Sequence, residues 1–139
     1  MISRIEQLIE QYQEKGDFLY TSPPKSLISA AEERLGVKLP EEFKWFLNKY
    51  GYGGIGGLEI FGVGKNSKCI FEDMTLKYRQ YGLEKELVVI ENCDEWLYCI
   101  NTNNEKIVMW FADNEDVQVA YNNFLEYFLD QLNDAIENL

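Results

Sequence analysis

The hydrophobic period of this chain changes twice, and that limits its fold more than any single motif. Apolar side chains recur at helical spacing through residues 1–50, run in short strand-like blocks through residues 86–111, and return to helical spacing after residue 119. Ile2, Ile5, Leu8, Ile9 and Tyr12 form the stripe of a first amphipathic helix, which Gly16-Asp17 stops. Thr21-Ser22-Pro23-Pro24 predicts a break and a new start, with Ser22 as N-cap and Pro23 as the first helical residue. That second helix presents Leu27, Ile28, Ala31 and Leu35 on one face and ends at Gly36. Leu39-Pro40-Glu41-Glu42 opens a third, where Pro40 suits the first turn and the glutamates suit the positive end of the dipole. Phe43, Phe46, Leu47 and Tyr50 line it; Trp45 falls off the stripe, and either packs on a neighbouring element or sits on an exposed face.

A glycine-rich turn, Gly51 to Gly57, leads into Leu58-Glu59-Ile60-Phe61-Gly62, which alternates like a strand. Residues 71–82 are ambiguous, although Phe71, Met74 and Tyr78 fit a short helix. Strands are expected over Glu86 to Glu91, Glu95 to Asn101 and Lys106 to Phe111, joined by a hairpin at Asn92-Cys93-Asp94 and a turn at Asn101 to Asn104. An acidic loop, Ala112 to Asp116, precedes a closing helix from about Val119 to Ile136, with Tyr121, Phe124, Leu125, Phe128, Leu132 and Ile136 as its apolar stripe and Glu126, Asp130, Asp134 and Glu137 off it. Helices first, strands in the middle and a helix last describe an α+β fold, an antiparallel-rich sheet flanked by helices. At 139 residues, with 46% hydrophobic and 14% aromatic content, one domain over residues 1–139 can bury its own core.

The chain has no histidine, so Ser-His-Asp triads, Cys-His pairs and imidazole metal ligands are out of reach. No catalytic residue is assigned, and the chain is expected not to be an enzyme. Gly51, Gly53 and Gly56 satisfy G-x-G-x-x-G, but after a helix and before a strand, the reverse of a dinucleotide site. They are expected to serve a turn with positive φ and close backbone approach. Asp113, Glu115 and Asp116 lack the glycine and distal glutamate of an EF-hand, so they suit a solvated loop or a partner-facing patch better than a calcium site. Glu91, Asp94 and Glu95 flank a strand turn, where a glycosidase-type carboxylate pair competes with the plainer polar hairpin. Cys69, Cys93 and Cys99 lack zinc spacing, and an odd number argues against a disulfide framework. Neither a metal nor a cofactor is expected. Reduced thiols, no signal peptide and no run of apolar residues long enough to span a bilayer lead to a cytoplasmic expectation. The formal net charge of -11 disfavours direct nucleic-acid binding and anionic lipid, and either steers a basic protein partner or simply keeps the chain soluble.

The run Leu39-Pro40-Glu41-Glu42-Phe43-Lys44-Trp45-Phe46-Leu47-Asn48-Lys49-Tyr50-Gly51-Tyr52-Gly53-Gly54 resembles the signature of SMI1/KNR4-like (SUKH) domains. Gly57-Leu58-Glu59-Ile60-Phe61-Gly62 resembles the strand that follows it there, and Ala30 to Gly36 the helix that precedes it. Glu95 to Ile100, Val108 to Trp110 and the Tyr121 to Leu129 segment are similar to later elements, so the likeness runs from about residue 22 to residue 130. The resemblance implies an SMI1/KNR4-like fold and a bacterial immunity role, an antitoxin that binds a cognate toxin, many such toxins being nucleases. Fungal relatives act in cell-wall signalling. The family shares no catalytic residues.

An acidic surface can occupy the groove with which a basic nuclease grips phosphate. Asp113, Glu115 and Asp116, together with Asp94 and Glu95, are expected to form that surface, with Trp96 or Tyr98 as an apolar anchor. Two alternatives are a protein-interaction scaffold and a module binding a small ligand or cation on the sheet face.

Overall fold

The computed structural model describes residues 1–113 and 116–139. Helices α1 (Ile2–Tyr12), α2 (Lys25–Leu35) and α3 (Glu41–Lys49) come first, and a 3-10 turn (Lys65–Ser67) and α4 (Ile70–Arg79) follow. Strands β1 (Leu87–Asn92), β2 (Leu97–Asn101), β3 (Ile107–Trp110) and β4 (Gln118–Tyr121) then form an antiparallel sheet in chain order, and α5 (Phe124–Glu137) closes the chain. This is the α+β architecture expected, with helices packed on the sheet.

Aromatic side chains hold the layers together. Phe43 and Phe46 on α3 meet Phe124 and Phe128 on α5, with Phe46 and Phe128 edge-to-face at 5.4 Å. Phe43 also meets Phe71 of α4 at 5.4 Å. All five rings are buried, and edge-to-face packing adds to what their burial contributes. Trp45 is half-buried and packs on Tyr50 and Phe128, the first of its two sequence readings.

Buried polar contacts fix α4 against the sheet edge. The Thr75 hydroxyl donates to the Phe71 carbonyl at 2.7 Å and accepts the Val89 N–H at 2.9 Å, so β1 has a partner for that donor. Arg34 on α2 holds Glu72 on α4 through two bonds, at 2.6 and 2.8 Å. Glu42 reaches from α3 to the Leu125 N–H in the first turn of α5, and Asn123 caps that helix through the Glu126 N–H.

Three sequence expectations need correction. Helix α2 starts at Lys25 with Pro24 as its N-cap, so Ser22 and Pro23 lie outside it. The tandem prolines explain this, because a residue preceding proline is kept out of the α region. The segment Leu58 to Gly62 is not a strand. Ile60 exchanges backbone bonds with Gly53, Phe61 donates to the Ile90 carbonyl at 2.7 Å, and Val63 donates to the Gly51 carbonyl. Its hydrogen bonds go mainly to the glycine turn instead of to one neighbouring strand. A Cβ on Gly62 would lie 1.9 Å from the Gly51 oxygen, so this approach requires residue 62 to have no side chain. The closing helix begins at Phe124, not Val119; residues 118–121 form β4. Asn123 and Glu126 form an N-cap pair that marks the true start, and the Tyr121 ring belongs to the strand.

Candidate functional site

Antiparallel pairing brings the β1–β2 turn, with Asp94 and Glu95, and the start of the loop after β3 to one end of the sheet. Asn92 pairs with Leu97 and Leu97 with Trp110, so the β1–β2 turn lies beside the loop leaving β3. Asp94 has a φ of 66° in that turn, and its N–H is held by the Asn92 side chain. Asp94, Glu95, Trp96 and Ala112 share one small depression of about 130 Å³. Asp94, Glu95, Asp113 and Asp116 are exposed, and Glu115 lies outside the described residues. Among the described residues no group of metal-ligating side chains is close enough to hold an ion.

Trp96 and Tyr98 point elsewhere. Both line a cleft of about 630 Å³ between the tyrosine-bearing face of the sheet and the second half of α5. Trp96 borders this cleft and the small depression alike, and is half-buried; Tyr98 is only 8% exposed. The Trp96 indole meets Tyr98 edge-on at 6.0 Å, and its buried N–H lies near the Tyr98 hydroxyl but outside hydrogen-bond geometry. Tyr98 and Tyr121 in turn both pack edge-on against Tyr127 of α5.

Hydroxyls meet carboxylates throughout this cleft. Tyr127, fully buried, donates to Glu91 at 2.6 Å, and Tyr121 donates to Asp130 at 2.5 Å while accepting from the Gln131 amide at 3.0 Å. Burial raises the Glu91 carboxyl above the usual glutamate range, against the pull of bonds from Tyr127 and Cys93. Burial also pushes the Cys93 thiol up to about 12, with the Glu91 charge adding to it. A thiol held protonated is a poor nucleophile. Glu91 belongs to the large cleft whereas Asp94 and Glu95 line the small depression, so the structure does not gather the three around one reacting centre.

Charge partition is the signal the motif reading missed. Residues 1–85 carry twelve acidic and twelve basic side chains; residues 86–139 carry twelve acidic ones and Lys106 alone. The entire net charge of -11 therefore belongs to the sheet, its turns and α5. The ion pairs among the described residues, Arg34–Glu72, Lys44–Glu32, Lys44–Glu41 and Lys49–Glu6, all lie in the first part. Counting charge by halves would have pointed to this region.

The glycines serve the fold. Gly51, Gly53 and Gly56 have positive φ, as expected, and a Cβ on Gly53 would sit 2.0 Å from the Asp17 carbonyl. None of the helices among the described residues is long and apolar enough to cross a membrane.

Comparison with known proteins agrees with this architecture. The chain is similar to a protein from Pseudomonas syringae pv. tomato with a solved crystal structure, at 25% identity and a TM-score of 0.65, over 84% of this chain and 89% of that one. Residues 5–133 match the family described as SMI1-KNR4 cell-wall. That family, also called SUKH, includes immunity proteins and is generally non-enzymatic. With nearly its whole length matched, the chain belongs to the SMI1/KNR4 (SUKH) family.

Proposed function

We propose that this chain is a cytoplasmic immunity protein that neutralises a basic toxin, a nuclease by chemistry, by binding it and without catalysis. The observation that carries this reading is the concentration of the whole net charge in residues 86–139, where acidic side chains outnumber basic ones twelve to one. Such a surface attracts a phosphate-gripping groove and accelerates encounter with it. On this reading Asp94, Glu95, Asp113, Glu115 and Asp116 form the rim that guides approach, and Trp96 is the apolar anchor beside them. Tyr98 supports Trp96 from within the cleft wall. Residues 1–139 act as one domain.

The test has two stages. Tagged protein captures partners at low and high salt, and a captured basic protein is then expressed in a host with and without this chain. The expected result is growth arrest by the partner alone and recovery on co-expression. A partner that is harmless by itself, or whose toxicity this chain does not relieve, overturns the proposal and favours an interaction scaffold.

A further inference from the structure

We infer that the cleft between α5 and the tyrosine-bearing face of the sheet is a socket for an arginine side chain projecting from a basic protein partner. The inference rests on the immunity reading for the partner's charge, and adds where and how that partner is gripped. The cleft's volume of about 630 Å³ falls in the range that accommodates a bound group, and it is built from complementary parts. Trp96, Tyr98 and Tyr121 supply ring walls, on which a planar guanidinium stacks better than an ammonium does. Glu91, Asp130 and Asp134 supply acceptors, and none of these three has a cationic partner among the described residues.

Two of those carboxylates are already oriented. Glu91 takes a bond from Tyr127 on Oε1, and Asp130 takes one from Tyr121 on Oδ2, which leaves lone pairs on each for a forked donor. The unpartnered Trp96 N–H discriminates between guests. A free polyamine carries donors only and has nothing to offer it. An arginyl residue within a polypeptide brings a backbone carbonyl as well as the guanidinium, so a small shift of the half-buried indole ring satisfies that donor. A cleft with several acceptors, one orphan donor and ring walls thus fits a peptide-borne arginine better than a free cation.

Titrating the full ¹⁵N-labelled chain with a hexa-arginine peptide tests this, because its three indole N–H resonances report from separate places. The expected result is a saturable shift of the Trp96 indole while that of Trp45 stays put, with hexa-lysine binding several-fold more weakly. Replacing two exposed cleft carboxylates, Asp130→Asn with Asp134→Asn, should weaken binding about tenfold, as expected for loss of charge-assisted bonds. Neutralising two exposed acids of the charge-balanced first part that do not line the cleft, Glu10→Gln with Glu14→Gln, should leave the Trp96 shift in place. An unmoved Trp96 indole, or a shift undiminished by the cleft variant, overturns the socket. So does spermine shifting Trp96 as strongly as the arginine peptide, which would make the cleft a small-cation pocket. A failed titration beside successful toxin neutralisation would leave the immunity reading intact and place the partner elsewhere. A successful titration without toxin rescue would keep the socket and remove the toxin.

Discussion

Glu72 and Glu91 are both glutamates carried under the surface, 5% and 7% exposed, and the chain answers them differently. Glu72, in the charge-balanced first part, receives the Arg34 guanidinium on both oxygens. Glu91, in the acidic second part, receives a tyrosine hydroxyl and no cation. A hydroxyl satisfies a lone pair without supplying a compensating charge, so burial still raises the Glu91 carboxyl. Glu72 is thus neutralised within the first part, whereas Glu91 is held in place by a neutral donor, and the ion pairs among the described residues all lie in the first part.

The comparison would break if the two parts were separate folding units, since a difference in charge could then be a difference in origin. Phe128 tests that most severely. It is fully buried and meets Trp45, Phe46 and Tyr50 from the first part and Phe124 from the second. Phe128→Ala should cost about 3–5 kcal/mol, read by urea denaturation. Far-UV and near-UV circular dichroism should still report one transition; two transitions would separate the parts. Gly62→Ala is the next largest. The new Cβ would meet the Gly51 carbonyl at 1.9 Å, and backbone on both sides cannot swing aside as a side chain can. A loss of about 3 kcal/mol is expected from such overpacking. Its NMR shifts should centre on the glycine turn and spare the Trp96 indole.

These two positions also mark how far the sequence could be read. Phe128 was legible because helical spacing announces a buried ring, and the aromatic stripes of α3 and α5 face each other as that spacing requires. The stretch around Gly62 was misread because alternation describes burial, whereas a strand also needs a continuous hydrogen-bonding neighbour, which only the tertiary structure supplies. Strand β4 was hidden for a related reason: two exposed and two half-buried residues leading into a helix carry too little pattern to separate them from it. In the site, Trp96 and Tyr98 were picked out as aromatic residues beside acids, and they do line a cleft. Their α5 partners, Asp130 and Asp134, were passed over because residues off an apolar stripe read as solvated helix face until the sheet opposite them is known.

Glu91 sharpens the comparison through pH. Its carboxyl is raised by burial, so the folded chain holds a proton that the unfolded chain releases. Stability from this group is fully present below the ordinary glutamate range and is lost as pH rises through the folded value, opposite to a carboxylate stabilised by a cation. Glu91→Gln should flatten that decline in a series of denaturation curves taken from acid to neutral pH. Tyr127→Phe should steepen it and cost about 1–3 kcal/mol at neutral pH, because the buried carboxylate loses a donor. An unchanged slope in both variants would mean that Glu91 is hydrated in solution and that the contrast with Glu72 is one of position alone.

The smallest expected effect falls on stability and the most specific on kinetics. Asp94, Glu95 and Asp113 are exposed, and Asp94→Asn keeps a residue type that tolerates the positive φ at that position. Neutralising the three together should change folding stability by no more than about 0.5 kcal/mol. Rim charges act mainly on encounter, so association with a captured basic partner should slow several-fold at low salt while dissociation barely changes. At ionic strengths near 1 M, where the screening length falls to about 3 Å, the variant and the parent chain should associate at the same rate. Stopped-flow mixing across a salt series separates these contributions. A variant that instead dissociates faster at every salt concentration would place these acids inside the contact, and would move the centre of recognition from the α5 cleft to the end of the sheet.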